Sequence, residues 1–123
     1  MSQQEEVIIE TRDDLKNLLK NSNVEYTMLK FYADWCAPCK AIAPFVNECV
    51  KSAEGKSFQF FEVNVDEAFD VYAFLKSKKM AKGIPTILLY KKSEFSNDTY
   101  YIPYNGVTGA KKGDIQSMFN SIQ

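Results

Sequence analysis

Apolar residues recur along this chain at two spacings, nearly continuous or alternating in some stretches and every third and fourth residue in others. The switches between them set out its elements. Residues 7–9 form a short β-prone run, and Thr11 then offers an N-cap with Asp14 three residues on, ahead of Leu15, Leu18 and Leu19 at helical spacing. Residues 24–33 are β-prone and too continuously apolar for a strand with one wet face, which predicts a strand at the sheet centre. Ile42, Phe45, Val46, Cys49 and Val50 mark a helix with one buried stripe, in which Pro44 should cause a kink. Residues 58–65 return to the β pattern, and Ala68, Val71, Tyr72 and Leu75 to the helical one. Gly83-Ile84-Pro85 breaks the chain before residues 86–90, and a polar turn separates these from the β-prone residues 99–104. The two runs predict a hairpin. Ile115, Met118, Phe119 and Ile122 are the stripe of a closing helix, with Asp114 in its first turn.

The resulting order, βαβαβαββα, predicts an α/β class with a mixed sheet: parallel strands covered by helices, and antiparallel strands at one end. No repeat or Pro/Gly-rich linker divides the sequence. A chain of 123 residues, 46% hydrophobic, has enough apolar surface for one core, so a single domain over residues 1–123 is expected. Fifteen basic and sixteen acidic residues give no field to gather phosphate backbones or anionic lipid, and no apolar run is long enough to span a bilayer. Neither nucleic acid nor membrane is an expected partner, and a monomer is expected. Lys76, Lys78, Lys79 and Lys82 cluster locally and read as a solvated helix end. The opening residues 1–6 are polar and acidic, unlike a secretory signal, so a cytoplasmic location is expected.

Three cysteines are too few and too unevenly placed for a disulfide framework. Cys36 and Cys39 are three residues apart, and a helix beginning near Cys36 would bring their side chains together across one turn. Cys36 would then sit among unpaired N–H groups and the helix dipole, which stabilise a thiolate. Pro38 suits a first turn because its missing N–H is not needed there, and Trp35 supplies a flat wall beside the pair. Three uses of such a pair stay open on this pattern: a redox dithiol, half of a structural zinc site, and an inert core pair. Zinc has little to build on, since Cys49 is the only other thiol and the chain has no His. Trp-Cys-x-Pro-Cys between a buried strand and a helix is the context of redox work.

The segment Phe31-Tyr32-Ala33-Asp34-Trp35-Cys36-Ala37-Pro38-Cys39-Lys40 resembles the active-site segment of the thioredoxin family, and the likeness runs from about residue 7 to residue 122. Pro44 falls where that family's second helix carries a kinking proline, and Asn64-Val65-Asp66 is similar to its third-strand ending. Gly83-Ile84-Pro85-Thr86 is similar to its cis-proline loop, which lies against the cysteines and offers backbone to an extended substrate. Gly109 matches a glycine beside the substrate groove.

The resemblance implies a thioredoxin fold with a five-stranded sheet of order 1-3-2-4-5 flanked by four helices. It also implies reduction of protein disulfides through a mixed disulfide formed by Cys36 and resolved by Cys39, and for these roles Cys36 is expected to be the exposed thiol and Cys39 the more buried one. Trp35, Ala37, Pro38, Ile84, Pro85 and Gly109 would contact substrate. No cofactor or metal is implied in the protein itself, and electrons would come from NADPH through a thioredoxin reductase. The alternatives are a disulfide oxidant or isomerase, and a binding module or complex subunit on the same fold. Two positions depart from the family pattern. Ala37 stands in place of the commonest glycine, and Lys30 stands where a buried Asp normally handles protons, with that acid's usual Lys partner aligning on Glu62. Such a buried cation needs a partner, so Lys30 and Glu62 are expected to pair with exchanged places, the alternative being that both side chains reach past the apolar wall to water; either way Lys30 is expected to serve the resolving step.

Overall fold

The computed structural model describes residues 7–123; the polar opening segment, on which the expectation of no secretory signal rests, lies outside them. Four strands and four helices follow in the order α1 (Arg12–Asn21), β1 (Tyr26–Tyr32), α2 (Ala37–Ser52), β2 (Phe58–Asn64), α3 (Phe69–Ser77), β3 (Thr86–Lys91), β4 (Asn105–Thr108) and α4 (Lys112–Asn120). They form one mixed sheet of order β2-β1-β3-β4. β1 runs parallel to β2 and antiparallel to β3, and β4 is antiparallel to β3.

This is the expected order with its first strand missing, so the sheet has four strands and not five. Residues 7–10 carry no regular structure, and the backbone of Glu10, where a strand would lead into α1, is bonded outside the sheet. Its carbonyl accepts the Val71 N–H at 3.1 Å, and its N–H donates to the Asp14 carboxylate at 3.0 Å. The hairpin differs too. Residues 99–104 are turns, and the strand paired with β3 starts only at Asn105. A strand would send Tyr100 and Tyr101 to opposite faces, yet both pack against the same core cluster, and the Tyr101 carbonyl accepts the Tyr90 hydroxyl at 2.9 Å.

β1 is the central strand, with six of its seven residues buried. Alternation sends Leu29 and Phe31 to a cluster under α1 and α3 and Tyr26 and Met28 to a cluster under α2 and α4. Among the described residues no helix is long and apolar enough to cross a membrane.

The cap of α1 forms as its sequence predicts. Thr11 accepts the Asp14 N–H and Asp14 accepts the Thr11 N–H, a reciprocal pair. Arg12 then ties α1 to α3: its guanidinium and its backbone N–H all donate to Asp70, at 2.7 to 3.2 Å. Hydrogen bonds from the Arg12 side chain and then its backbone hold the Asp70 carboxyl below the usual carboxylate range. The Glu10 and Thr11 backbone N–H groups do the same for Asp14. A depressed folded value means the stabilisation is full above the unfolded value of about 4 and is lost as pH falls through the folded one. Asp14→Ala is therefore expected to cost roughly 0.5–1 kcal/mol at pH 7. The gap from the parent should close in thermal melts taken well below about pH 4; a gap constant down to acid would contradict the capping role.

Candidate active site

Register gathers the site at one end of the sheet. Tyr32 pairs with Asn64, Phe31 with Thr86, and Thr86 with Thr108, so the chain leaving β1, the loop entering β3 and the loop leaving β4 emerge side by side. Cys36, Pro85 and Gly109 lie on those three segments.

Cys36 is the N-cap of α2, and its Sγ accepts the Cys39 N–H at 3.2 Å. Ala37 and Pro38 fill the first two helical positions and are exposed, and the second lacks only an N–H that would have had no intrahelical partner. Cys36 and Cys39 are joined as a disulfide with their Cα atoms 5.3 Å apart. The expectation of an exposed Cys36 beside a buried Cys39 does not hold in this oxidised form, where the two are 4% and 3% exposed. Ala33 lies in the cluster that holds both cysteines, and Ile84 packs against it. What separates the two is the cap: a donor N–H and the helix N-terminus face the Cys36 sulfur. Pro44 lies within α2, which continues through it to Ser52.

Trp35 stands out from the surface of this end, 69% exposed. Its indole N–H donates to Asp66 at 2.9 Å, and the Asp66 N–H donates to the Asn64 side chain at 2.9 Å. Sequence reasoning missed Asp66 as a positioning residue; the Asn64-x-Asp66 spacing at a strand end was the available signal. Ile84-Pro85 is cis, with Ile84 half-buried and Pro85 buried. The Pro85 carbonyl accepts the Gly109 N–H at 2.7 Å, and Gly109 adopts φ +96°, a conformation that favours glycine. Thr86 donates to the Gly83 carbonyl at 2.5 Å and meets the Thr108 hydroxyl at 3.1 Å, which further couples the two loops.

Lys30 and Glu62 are register partners on β1 and β2, on the sheet face covered by α2, and their side chains meet at 3.0 Å. The Lys30 side chain is buried, whereas that of Glu62 is 49% exposed. The pair forms as expected, with the cation inside and the anion at the edge.

Cys49 lies on the buried stripe of α2, 6% exposed, with its sulfur 3.9 Å from the Gln116 side-chain oxygen. Burial first, and then Glu48, pushes this thiol up. Labelling of Cys49 by a neutral thiol reagent is expected to be at least about a hundredfold slower in the folded protein than in the unfolded chain. Cys49→Ala should retain disulfide reduction, and rapid labelling under native conditions would contradict this placement.

The family model described as Thioredoxin matches residues 6–118. The chain is 31% identical to thioredoxin of Neurospora crassa over 111 residues, 89% of this chain and 78% of that protein. Against thioredoxin-1 of Caenorhabditis elegans it is 37% identical over 83 residues, 68% of this chain and 67% of that one. Among solved structures it is similar to Plasmodium falciparum thioredoxin, with a TM-score of 0.65 and 25% identity over 91% of this chain and 94% of that chain.

Proposed function

This chain belongs to the thioredoxin family and is a thiol–disulfide oxidoreductase, and from that premise we propose that it works as a reductant of protein disulfides in the cytoplasm. In the reduced form the Cys36 thiolate attacks one sulfur of a client disulfide, which breaks the client S–S bond and frees one client thiolate. Cys39 then attacks Cys36 in the mixed disulfide and frees the second. Two electrons have passed to the client, and the Cys36–Cys39 disulfide remains. NADPH, through a flavoprotein reductase, returns the pair to the dithiol.

The observation that carries this reading is the disulfide placed at the N-cap of α2, with the Cys39 N–H aimed at the Cys36 sulfur. Trp35, held by Asp66, and the Ile84-Pro85 loop, tied to Gly109, border the place where an extended client lies. To the buried Lys30, with Glu62 as its counter-ion, we assign a part in the resolving step.

The test mixes the protein with a protein disulfide, NADPH and thioredoxin reductase and follows NADPH consumption together with client thiols. Turnover of both is expected. NADPH consumption no faster than without the protein would overturn the donor. A reduction potential nearer roughly −180 mV than −270 mV would make the protein an oxidant or isomerase instead.

A further inference from the structure

Next to the Ile84-Pro85 loop a groove runs along β4. Met80, Ile102 and Tyr104 give it apolar walls, and Lys79, Lys82 and Lys111 form its rim. Ile102 and Tyr104 are 52% and 42% exposed, which is more apolar surface than a solvated lysine cluster needs. No carboxylate lines the groove. Among the described residues, none of the three ammonium groups has an ion-pair partner. In a chain with a net charge of −1, this is a local concentration of unpaired cations, not part of a general basic field.

The groove is continuous with the redox end of the molecule. Lys82 directly precedes Gly83, and Lys111 follows by two residues the Gly109 whose N–H binds the Pro85 carbonyl. Met80 and Ile84 pack against the cluster that contains Cys36 and Cys39.

Lys79 adds an independent sign. It is the one non-glycine residue with positive φ, 64°, among those described. It follows α3 at the position where the Met80 N–H returns to the Leu75 carbonyl at 2.9 Å and the Lys79 N–H to the Lys76 carbonyl at 2.9 Å. Glycine is the residue that this helix ending favours. A lysine there costs stability and sets a cation on the groove rim.

We propose that this groove receives an acidic stretch of the disulfide-bearing client, with Lys79, Lys82 and Lys111 meeting carboxylates while the Pro85 loop holds the segment beside the half-cystine. The inference rests on the oxidoreductase reading and adds the class of client to it. β4 is four residues long, so an extended segment beside it covers roughly 13 Å and the acidic residues lie within about four positions of the client cysteine.

The experiment uses the pre-reduced full chain in single turnover against two peptide disulfides, identical except that one carries Glu and the other Gln at positions up to four from the cysteine. At low ionic strength the Glu peptide is expected to be reduced roughly tenfold faster, the sum of three modest exposed pairings. The ratio should fall toward one in about 0.5 M salt. Each single Lys→Gln change should lower the ratio about twofold, and the triple change should bring it to parity. Lys79→Gly should lower it as well while melting at or above the parent temperature, so that lost folding does not account for the change. Equal rates on the two peptides at low salt, or a ratio unmoved by the triple change, would overturn the groove assignment. Reduction of neither peptide would overturn the proposed reductant role itself, and with it this inference.

Discussion

Cys36→Ser is expected to lower disulfide exchange to the uncatalysed background, whereas Cys39→Ser should form the first bond with a client and stop there, accumulating a covalent complex on Cys36. A hydroxyl cannot form the mixed disulfide, so the first change removes the reacting atom. The second removes only the group that resolves the intermediate. This order of roles does not come from exposure, because both residues are almost equally buried. It comes from the cap. In the disulfide form the Cys36 sulfur has the Cys39 N–H and the end of the α2 dipole in front of it, a setting that favours a thiolate there once the bond is reduced. Cys39 lies inside the first turn, where its own N–H is the donor. Alkylation of the reduced protein at mildly acidic pH, read by peptide mass, should modify Cys36 first. Modification of Cys39 first, or a client complex that accumulates in Cys36→Ser, would reverse the assignment.

The site was legible in the sequence where a covalent spacing carries the geometry. Two residues separate Cys36 from Cys39, and a Pro at the second helical position and a β-prone run before them bring the two sulfurs together across the first helical turn. The Lys30–Glu62 contact was legible for a different reason: a charge inside a continuous apolar strand calls for a partner or a route to water, and the sheet order that the family resemblance implies names the strand that offers a partner. The failures share a cause. Residues 7–9 and 99–104 have β-prone side chains, but a strand is decided by what its backbone can pair with. Glu10 bonds to α3 and the α1 cap, and Tyr101 bonds to the Tyr90 hydroxyl. Neither competitor shows in local periodicity. Near-equal burial of the two cysteines likewise depends on the tertiary cluster that both of them join, which spacing alone does not encode.

Lys30 and Glu62 should respond oppositely to removal of one partner or the other. Glu62→Gln leaves a buried ammonium facing an amide, and such an uncompensated charge is costly. Glu62 is half exposed, however, so water already screens the pair. The expected loss is about 1–2 kcal/mol, below the ~3–5 kcal/mol of a fully enclosed pair. Lys30→Met puts an apolar chain of similar length among Met28, Ile87 and the α2 face and leaves Glu62 free to turn to solvent. That change should be neutral or stabilising, because the desolvation of the ammonium disappears with it. Function should run the other way. If the cation under α2 assists the departure of the Cys39 proton or steadies its thiolate, Lys30→Met should slow release from the mixed disulfide about tenfold or more while leaving its formation near the parent rate. Rapid-quench kinetics with a labelled client separates the two steps, and urea unfolding gives the stability. A Lys30→Met protein that resolves at the parent rate removes Lys30 from the chemistry, and a Glu62→Gln protein as stable as the parent shows that the ammonium does not need this carboxylate.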